Sequence, residues 1–208
     1  THVCARAVGS ARYRITADTR GGHSFADFGA RSAIEVLSRL TCALYRQMLP
    51  RAAGSVTTYN VGMISGGTSI NAIAQHAEML YEYRSNDAKS LAAMKEKLNV
   101  ILRENALPDA KVMVELLGER PCGTATDPAA QKALETACCA ALKHYVGGKK
   151  PISVGSTDCN IPLSLGIPSA SFGMYRGGGA HTREEWIEPA SLCGGMKAAA
   201  SVLMNWFS

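Results

Sequence analysis

The hydrophobic and polar positions of residues 11–118 alternate between two periods along the chain. Period two, which is typical of half-buried strands, occurs around Ile15, in residues 56–64, around Tyr81 and around Val114. Two segments between these strands show the helical period. Their apolar stripes contain Ala33, Leu37, Leu40, Leu44 and Met48, and then Leu91, Met94, Leu98 and Ile101. The order strand–helix–strand–strand–helix–strand predicts a ferredoxin-like domain, with a four-stranded antiparallel sheet and both helices on one face.

Polar residues mark the expected helix starts. Asp27 is expected to cap the first helix, and Ser85, Asn86 and Asp87 are candidate caps for the second. Pro50 and Pro108 lie where the two helical patterns end.

Residues 120–208 have a different character. Asp127-Pro128 predicts a helix start, with Leu134, Ala137, Ala141 and Tyr145 on one face. Short strands at 152–154 and 169–174 and a final helix from about 189 to 206 follow. So few strands cannot cover both faces of an α/β layer. We therefore expect a connector at 1–10, a complete ferredoxin-like domain at 11–119, and part of a larger α/β domain at 120–208.

Composition and charge narrow the classes of function. The chain has 208 residues and a net charge of +5, with no run of basic residues longer than a pair. This modest charge disfavours nucleic-acid binding, and no apolar stretch reaches the ~20 residues of a membrane span. The seven cysteines include no C-x-x-C pair, which favours small buried residues in a reducing compartment over a disulfide framework. A cytoplasmic protein without nucleic-acid or membrane partners is expected.

Four polar sites lie where the predicted backbone turns. They are Gly21-Gly22-His23-Ser24, the turn 66–71 that ends in Asn71, Arg84 at a strand end, and the glycine loop 177–182 that contains His181. Each of them, taken alone, is at least as compatible with a surface loop or a solvated charge as with a functional site. A cysteine nucleophile, Cys122 or Cys159 paired with His144, also stays open at this point.

Taken together and in this order, the motifs resemble the M20 family of zinc-dependent peptidases and deacylases. The matching segments are GGHSF (21–25), GGTSINAIA (66–74), the strand 78–84 ending in arginine, GSTDCN (155–160), GIPSASFG (166–173) and GGAHTREEW (178–186). The resemblance implies that the ferredoxin-like domain is the family's lid or dimerisation domain. It also implies that residues 120–208 are the C-terminal part of the catalytic domain.

The resemblance also implies a role for each matched residue. His23 is similar to the lid histidine that reaches a partner subunit's active site and stabilises the oxyanion, Asn71 to a substrate-binding asparagine, and Arg84 to the arginine that binds a substrate carboxylate. Thr157 is similar to residues that line the substrate pocket, and His181 to the C-terminal metal ligand. The implied reaction is hydrolysis of an amide bond in a small peptide or an N-acyl amino acid by a homodimer with a two-zinc site.

The family's other metal ligands, an H-x-D pair, a bridging aspartate and a further acidic residue, have no match in this sequence, nor has the glutamate base. Because the sequence begins at Thr1, we expect a C-terminal portion of an M20 enzyme that is inactive alone. The alternative hypothesis is a non-catalytic dimerisation or ligand-binding module. A nucleic-acid-binding ferredoxin-like domain is a third hypothesis, which rests only on the fold and the +5 charge.

Overall fold

The computed structural model describes residues 2–148 and 151–206. The elements in chain order are β1 (Val3–Ala7), β2 (Gly9–Thr19), β3 (Gly22–His23), α1 (Ala33–Arg46), β4 (Thr57–Gly66), β5 (Ala72–Ile73), β6 (His76–Ser85), α2 (Ala88–Glu104), β7 (Ala110–Arg120), α3 (Pro128–Val146), β8 (Ile152–Gly155), α4 (Asn160–Ser164), β9 (Ser171–Phe172), β10 (Arg176–Gly178), β11 (Trp186–Glu188) and α5 (Leu192–Trp206). A 3₁₀ turn, Pro189–Ser191, precedes α5.

The chain divides into two compact units. Gly9–Arg120 forms one, which we call the ferredoxin-like unit, and the chain on either side of it forms the other, which we call the flanking unit. The two are described separately below.

The ferredoxin-like unit contains a four-stranded sheet in the order β4-β6-β2-β7. All three strand pairs are antiparallel. One row of the sheet runs from Ile64 on β4 through Met79 and Ile15 to Val114 on β7, so Ile64 and Val114 occupy equivalent positions at the two edges. The predicted α+β architecture, with its four-stranded antiparallel sheet, is confirmed.

Both helices of this unit pack on one face of the sheet. Helix α1 buries Val36, Leu37, Leu40 and Leu44, and α2 buries Met94, Leu98 and Ile101. These side chains join Ile15, Met79, Tyr81 and other inward residues of the strands in one hydrophobic core. The two helical periods of the sequence therefore locate this core, except that Met48 lies beyond the end of α1 and is 82% exposed.

One of the two predicted caps is correct. The Asp87 carboxylate accepts a hydrogen bond of 2.7 Å from the Ser90 amide at the start of α2. The prediction for Asp27 is wrong, because α1 begins at Ala33 and its N-cap, Ser32, lies five residues after the expected cap. Asp27 is instead engaged in a turn with His23.

The flanking unit is built on a three-stranded sheet, β8-β1-β9, in which β1 is central. Strand β1 runs parallel to β8 and antiparallel to β9. Residues 1–10 are expected to be a connector, but the structure places β1 there. A five-residue strand that is buried on both faces has no alternation by which sequence periodicity could reveal it.

Helices α3 and α5 cover this small sheet. Their buried residues, Cys138, Ala141, Leu142 and Ala198, pack with Val3 and Ala5 of β1. The predicted apolar face of α3 is rotated, because Leu142 is fully buried while Tyr145 is 39% exposed. The strand expected at 169–174 is reduced to Ser171–Phe172, and the hairpin β10–β11 was not predicted. Within the described ranges, no helix combines the length and apolarity that a membrane crossing requires.

Candidate functional site

His23 lies at the end of the ferredoxin-like unit, just beyond the end of β2. It follows the glycine turn 21–22 and forms the two-stranded ladder β3–β5, in which it is opposite Ala72. The side chain is exposed. A Cβ at Gly21 would approach a backbone oxygen of Ile73 to 2.8 Å, and Gly21 adopts φ +66°, so both glycine's lack of a side chain and its backbone freedom are used here.

The His23 ring is held by the backbone that follows it. Its Nδ1 accepts hydrogen bonds from the amides of Phe25 and Ala26, at 3.2 and 3.3 Å. A ring nitrogen that accepts must present its lone pair, so the proton of the neutral ring lies on Nε2. Nε2 makes no hydrogen bond with the described residues, and the histidine therefore offers one N–H donor to an incoming group.

Asn71 lies beside His23. The Ser24 amide donates to the Asn71 carbonyl at 2.9 Å, and the Ser69 hydroxyl donates to Asn71 Oδ1 at 2.9 Å. The side-chain amide hydrogens of Asn71 have no partner among the described residues. Three large apolar side chains close to the pair in sequence, Phe25, Phe28 and Ile70, are 88–102% exposed. The structure thus brings two predicted site residues together at one tip.

Arg84 lies at the opposite end of the same sheet. It is opposite Ser10 at the start of β2, whereas His76, near the His23 end, is opposite Asp18. Eight residues of extended strand separate these rows, a distance of about 27 Å. The guanidinium donates to both carboxylate oxygens of Glu82, at 3.0 and 3.1 Å. These bonds are the main reason that the pKa of Glu82 lies below its usual range, and Arg12 adds to the effect.

Thr157 lies in the polar elbow between β8 and α4. Its amide donates to Asn160 Oδ1 at 2.9 Å, and its hydroxyl accepts from the Cys159 amide at 3.3 Å. Asn160 is 1% exposed, and its Nδ2 donates to the carbonyls of Val8 and Pro121, both at 2.8 Å. One side chain thus fixes the elbow and holds together the points where the chain leaves the flanking unit and returns to it.

His181 lies in the turn that joins β10 to β11. It is exposed and adopts φ +68°, the one left-handed φ at a non-glycine residue in the described parts of the chain. The next residue closes the turn, because the Thr182 amide and hydroxyl both donate to the Gly179 carbonyl. Histidine is among the residues enriched in this backbone region, and the strain of about 1 kcal/mol is carried by a turn that projects its side chain outward.

Comparison with protein families agrees with this arrangement. The model of the M20 peptidase dimerisation domain matches residues 6–110, half of the chain. The chain belongs to this family. A comparison with curated protein sequences gives no significant match.

Solved structures share the fold of the M20 chain. An aminopeptidase PepT from Bacillus cereus is 21% identical, with a TM-score of 0.70 over 97% of this chain and 52% of its own. A tripeptidase from Staphylococcus aureus is also 21% identical, with a TM-score of 0.71 and the same coverage. An aminobenzoyl-glutamate utilization protein from Klebsiella pneumoniae is 14% identical, with a TM-score of 0.70 over 98% of this chain and 51% of its own. The M20 chain spans about half the length of these structures.

The residues of the M20 chain do not fit a metal centre by themselves. Across residues 2–148 and 151–206, no three histidine, cysteine, aspartate or glutamate side chains converge in a way that could hold an ion. His181 is the single ligand implied by the resemblance, and a catalytic zinc site needs three protein ligands. No reaction step through a metal is derived from this chain.

The cysteine alternative gains no support in the M20 chain. Burial is the main cause that raises the pKa of the Cys159 thiol, and it raises the pKa of Cys138 to about 11. A thiol needs a lowered pKa to act as a nucleophile at neutral pH. Of the seven cysteines, Cys42 and Cys193 are exposed, contrary to the expectation that all are buried.

The sequence predictions miss the roles of two residues that organise the site. Asp27 is predicted as a helix cap. Its spacing of four residues from His23 is the sequence signal that would have indicated a turn. Asn160 is predicted only as part of the segment GSTDCN. One of its three hydrogen bonds is local, to Thr157, and the other two reach Val8 and Pro121. Because these two partners are far away in sequence, no local pattern reveals the role of Asn160.

Proposed function

We propose that this chain is the lid, together with part of the catalytic domain, of an M20 peptidase or amidohydrolase that hydrolyses an amide bond in a small peptide or N-acyl amino acid. The observation that best supports this proposal is the tip at which His23 and Asn71 lie side by side. Each side chain offers an N–H donor that has no partner among the described residues. Membership of the M20 dimerisation family supports the assignment to a hydrolase.

His23 is proposed to stabilise the oxyanion of the tetrahedral intermediate. Its neutral ring donates through Nε2, and a donor aimed at a developing negative oxygen is stronger in the transition state than in the ground state. Asn71 adds a second donor next to it. The exposed apolar side chains of Phe25, Phe28 and Ile70 would exclude water once the tip is covered.

The two polar ends of the sheet support a site made by two subunits. Arg84 lies about 27 Å along the strand from the His76 row, and His23 lies beyond that end of β2, so one small substrate cannot touch both. We propose that His23 and Asn71 act in the partner subunit's active site and that Arg84 binds a substrate carboxylate at its own. Arg84 would then exchange its contact with Glu82 for the substrate, since one guanidinium fork serves one carboxylate bidentately.

Strand β4 is the proposed edge for the homodimer. An unpaired edge strand invites pairing unless charges or bulges protect it. The β7 edge carries Lys111, Glu115, Glu119 and Arg120, whereas β4 contains no charged residue. Met63 and Ile64 of β4 are 39% and 51% exposed.

The metal that we propose for the longer protein is zinc. His181 would be one ligand, and the other ligands would be supplied from outside these 208 residues. When bound, it would polarise the scissile carbonyl and supply hydroxide. The runner-up function, a dimerisation or ligand-binding module without catalysis, is favoured by one observation: the described residues gather no metal site.

One experiment separates the two functions. The natural protein that carries residues 1–208, in its longest form, is assayed with Zn²⁺ on N-acyl amino acids and on di- and tripeptides. We expect turnover that a chelator abolishes, and we expect His23→Ala to lower kcat by ~10²–10³, as removal of one oxyanion donor does. His76→Ala, at an exposed histidine of the same unit, is the control. Absence of turnover on all these substrates would favour the module.

A further inference from the structure

Asp27 makes two reciprocal backbone contacts with His23. Its Oδ2 accepts from the His23 amide at 2.8 Å, and its own amide donates to the His23 carbonyl at 2.9 Å. Residues 23–27 are thereby closed into a turn. Gly22 gives this turn its room, because a Cβ there would lie 2.7 Å from the Asp27 Cβ.

The same turn places the Phe25 and Ala26 amides against His23 Nδ1. We propose that Asp27 is a positioning residue, which closes the turn and thereby holds His23 as the Nε2–H tautomer with its donor facing outward. The structural part of this inference stands on the hydrogen bonds of the turn. Its catalytic consequence rests on the function proposed above for His23.

A second histidine of the same unit shows the opposite arrangement. His76 Nδ1 lies 2.7 Å from Asp18 Oδ1, on the open face of the sheet. A carboxylate accepts hydrogen bonds and cannot donate, so this contact requires a proton on Nδ1 of His76. The two aspartates therefore have contrasting effects: Asp18 touches its histidine ring directly, whereas Asp27 touches only the backbone and acts on the ring through two amides.

This contrast distinguishes a positioning role of Asp27 from an electrostatic effect of its charge on the His23 ring. If Asp27 acted on His23 as a carboxylate acts on a catalytic histidine, it would contact the ring and favour Nδ1–H. Its actual contact leaves Nε2–H as the donor, which suits an oxyanion and does not suit a general base. Asp27 also makes no contact that requires its charge, because the oxygen of an asparagine side chain can accept from the His23 amide equally well.

The test reads the tautomer directly. The full 208-residue chain, labelled with ¹⁵N, is studied at about pH 9, where imidazole rings are ordinarily neutral. Two-bond ¹H–¹⁵N correlations distinguish protonated from unprotonated ring nitrogens, and His23→Gln assigns the His23 signals. We expect a proton on Nε2 of His23 and on Nδ1 of His76 in the native chain. A proton on Nδ1 of His23 in the native chain would overturn the proposal.

Variants then test the role of Asp27. Asp27→Ala is expected to give a mixture of both His23 tautomers, Asp27→Asn to keep the native Nε2–H form, and Asp18→Asn to change only the His76 signals. Unchanged His23 tautomers in Asp27→Ala would contradict the proposal. The His76 signals of the two Asp27 variants report whether the sheet is still folded. Asp27→Asn together with the native chain keeps the test decisive if Asp27→Ala is not folded.

Activity of the longer protein gives the independent readout. We expect Asp27→Ala to lower kcat by about tenfold with KM nearly unchanged, and Asp27→Asn to restore most of it. If His23→Ala leaves kcat intact while the tautomers behave as described, the proposed function fails and the positioning role stands. If His23 matters for kcat but its tautomer does not depend on Asp27, the positioning role fails and the function stands.

Discussion

The two units of this chain differ in how much of their own apolar surface they bury. Among the described residues, the core of the ferredoxin-like unit contains seventeen buried apolar side chains, and that of the flanking unit contains six, three of which are alanines. The ferredoxin-like unit therefore has the core of an independent domain, and we propose that the flanking unit is completed by other parts of a longer protein.

The largest expected effect tests this difference in the two cores. Leu40 and Leu142 are 1% and 0% exposed, one in each unit. We expect Leu40→Ala to lower the free energy of unfolding of its unit by about 4 kcal/mol and Leu142→Ala by about 2, because small neighbours around Leu142 can close the cavity. Both tryptophans, Trp186 and Trp206, lie in the flanking unit, so their fluorescence during urea unfolding follows it separately. Five of the seven tyrosines lie in the other unit, so tyrosine circular dichroism follows mainly that unit. Equal losses would contradict the comparison.

The second effect concerns Asn160, which supports the flanking unit by polar contacts rather than by apolar ones. Asn160→Asp cannot donate to the Val8 and Pro121 carbonyls. It should lower the free energy of unfolding of the flanking unit by about 2–3 kcal/mol, since buried acceptors lose their partners. Tryptophan fluorescence in urea measures the change. Asn60→Asp, at an exposed position on β4, is the control, and a loss of the same size there would count against this role.

The third effect compares the two edges of the ferredoxin-like unit. Ile64 and Val114 lie in the same row of the sheet, and their exposed fractions are 51% and 42%. We expect Ile64→Lys to raise the dimer dissociation constant at least about tenfold, because a lysine would be buried against the partner. Analytical ultracentrifugation of the full chain measures the constant. Val114→Lys should leave it unchanged, and a reversed order would place the dimer on β7.

The smallest expected effect is on the free energy of unfolding at acid pH, and it concerns the pair Glu82 and Arg84 on the open face of the sheet. The pKa of Glu82 is lowered in the folded chain, first by its hydrogen bonds with Arg84. The stabilisation is therefore present above about pH 4.5 and is lost as the pH falls through the lowered pKa. We expect Arg84→Gln to cost less than about 1 kcal/mol at pH 7, since the pair is partly exposed, and to cost less still at about pH 3. Urea unfolding at both pH values is the measurement, and an equal cost at both would exclude the ion pair as the cause.

Much of the ferredoxin-like unit could be predicted from sequence because its strands and helices are long and one-sided. The alternation around Tyr81 and the stripe through Leu40 each repeat often enough to identify a buried face. In the flanking unit, β1 and β9 have five and two residues, and burial on both faces removes the alternation. The same limit applies to the site. Glycine turns located His23 and Asn71, but the separation of Arg84 from them follows only from strand register.

The hydrogen bonds of Asn160 have a consequence for the modular history of the chain. The ferredoxin-like unit is inserted between Val8 and Pro121. The carbonyls of these two residues both accept hydrogen bonds from the side-chain amide of Asn160. Its own first and last strands are also neighbours, with Ser10 opposite Arg120. A whole domain is thus inserted at a gap that a short loop could bridge. Excision of residues 9–120, or exchange for another domain with adjacent ends, would leave the local joint intact, because a single asparagine secures both sides of the insertion point.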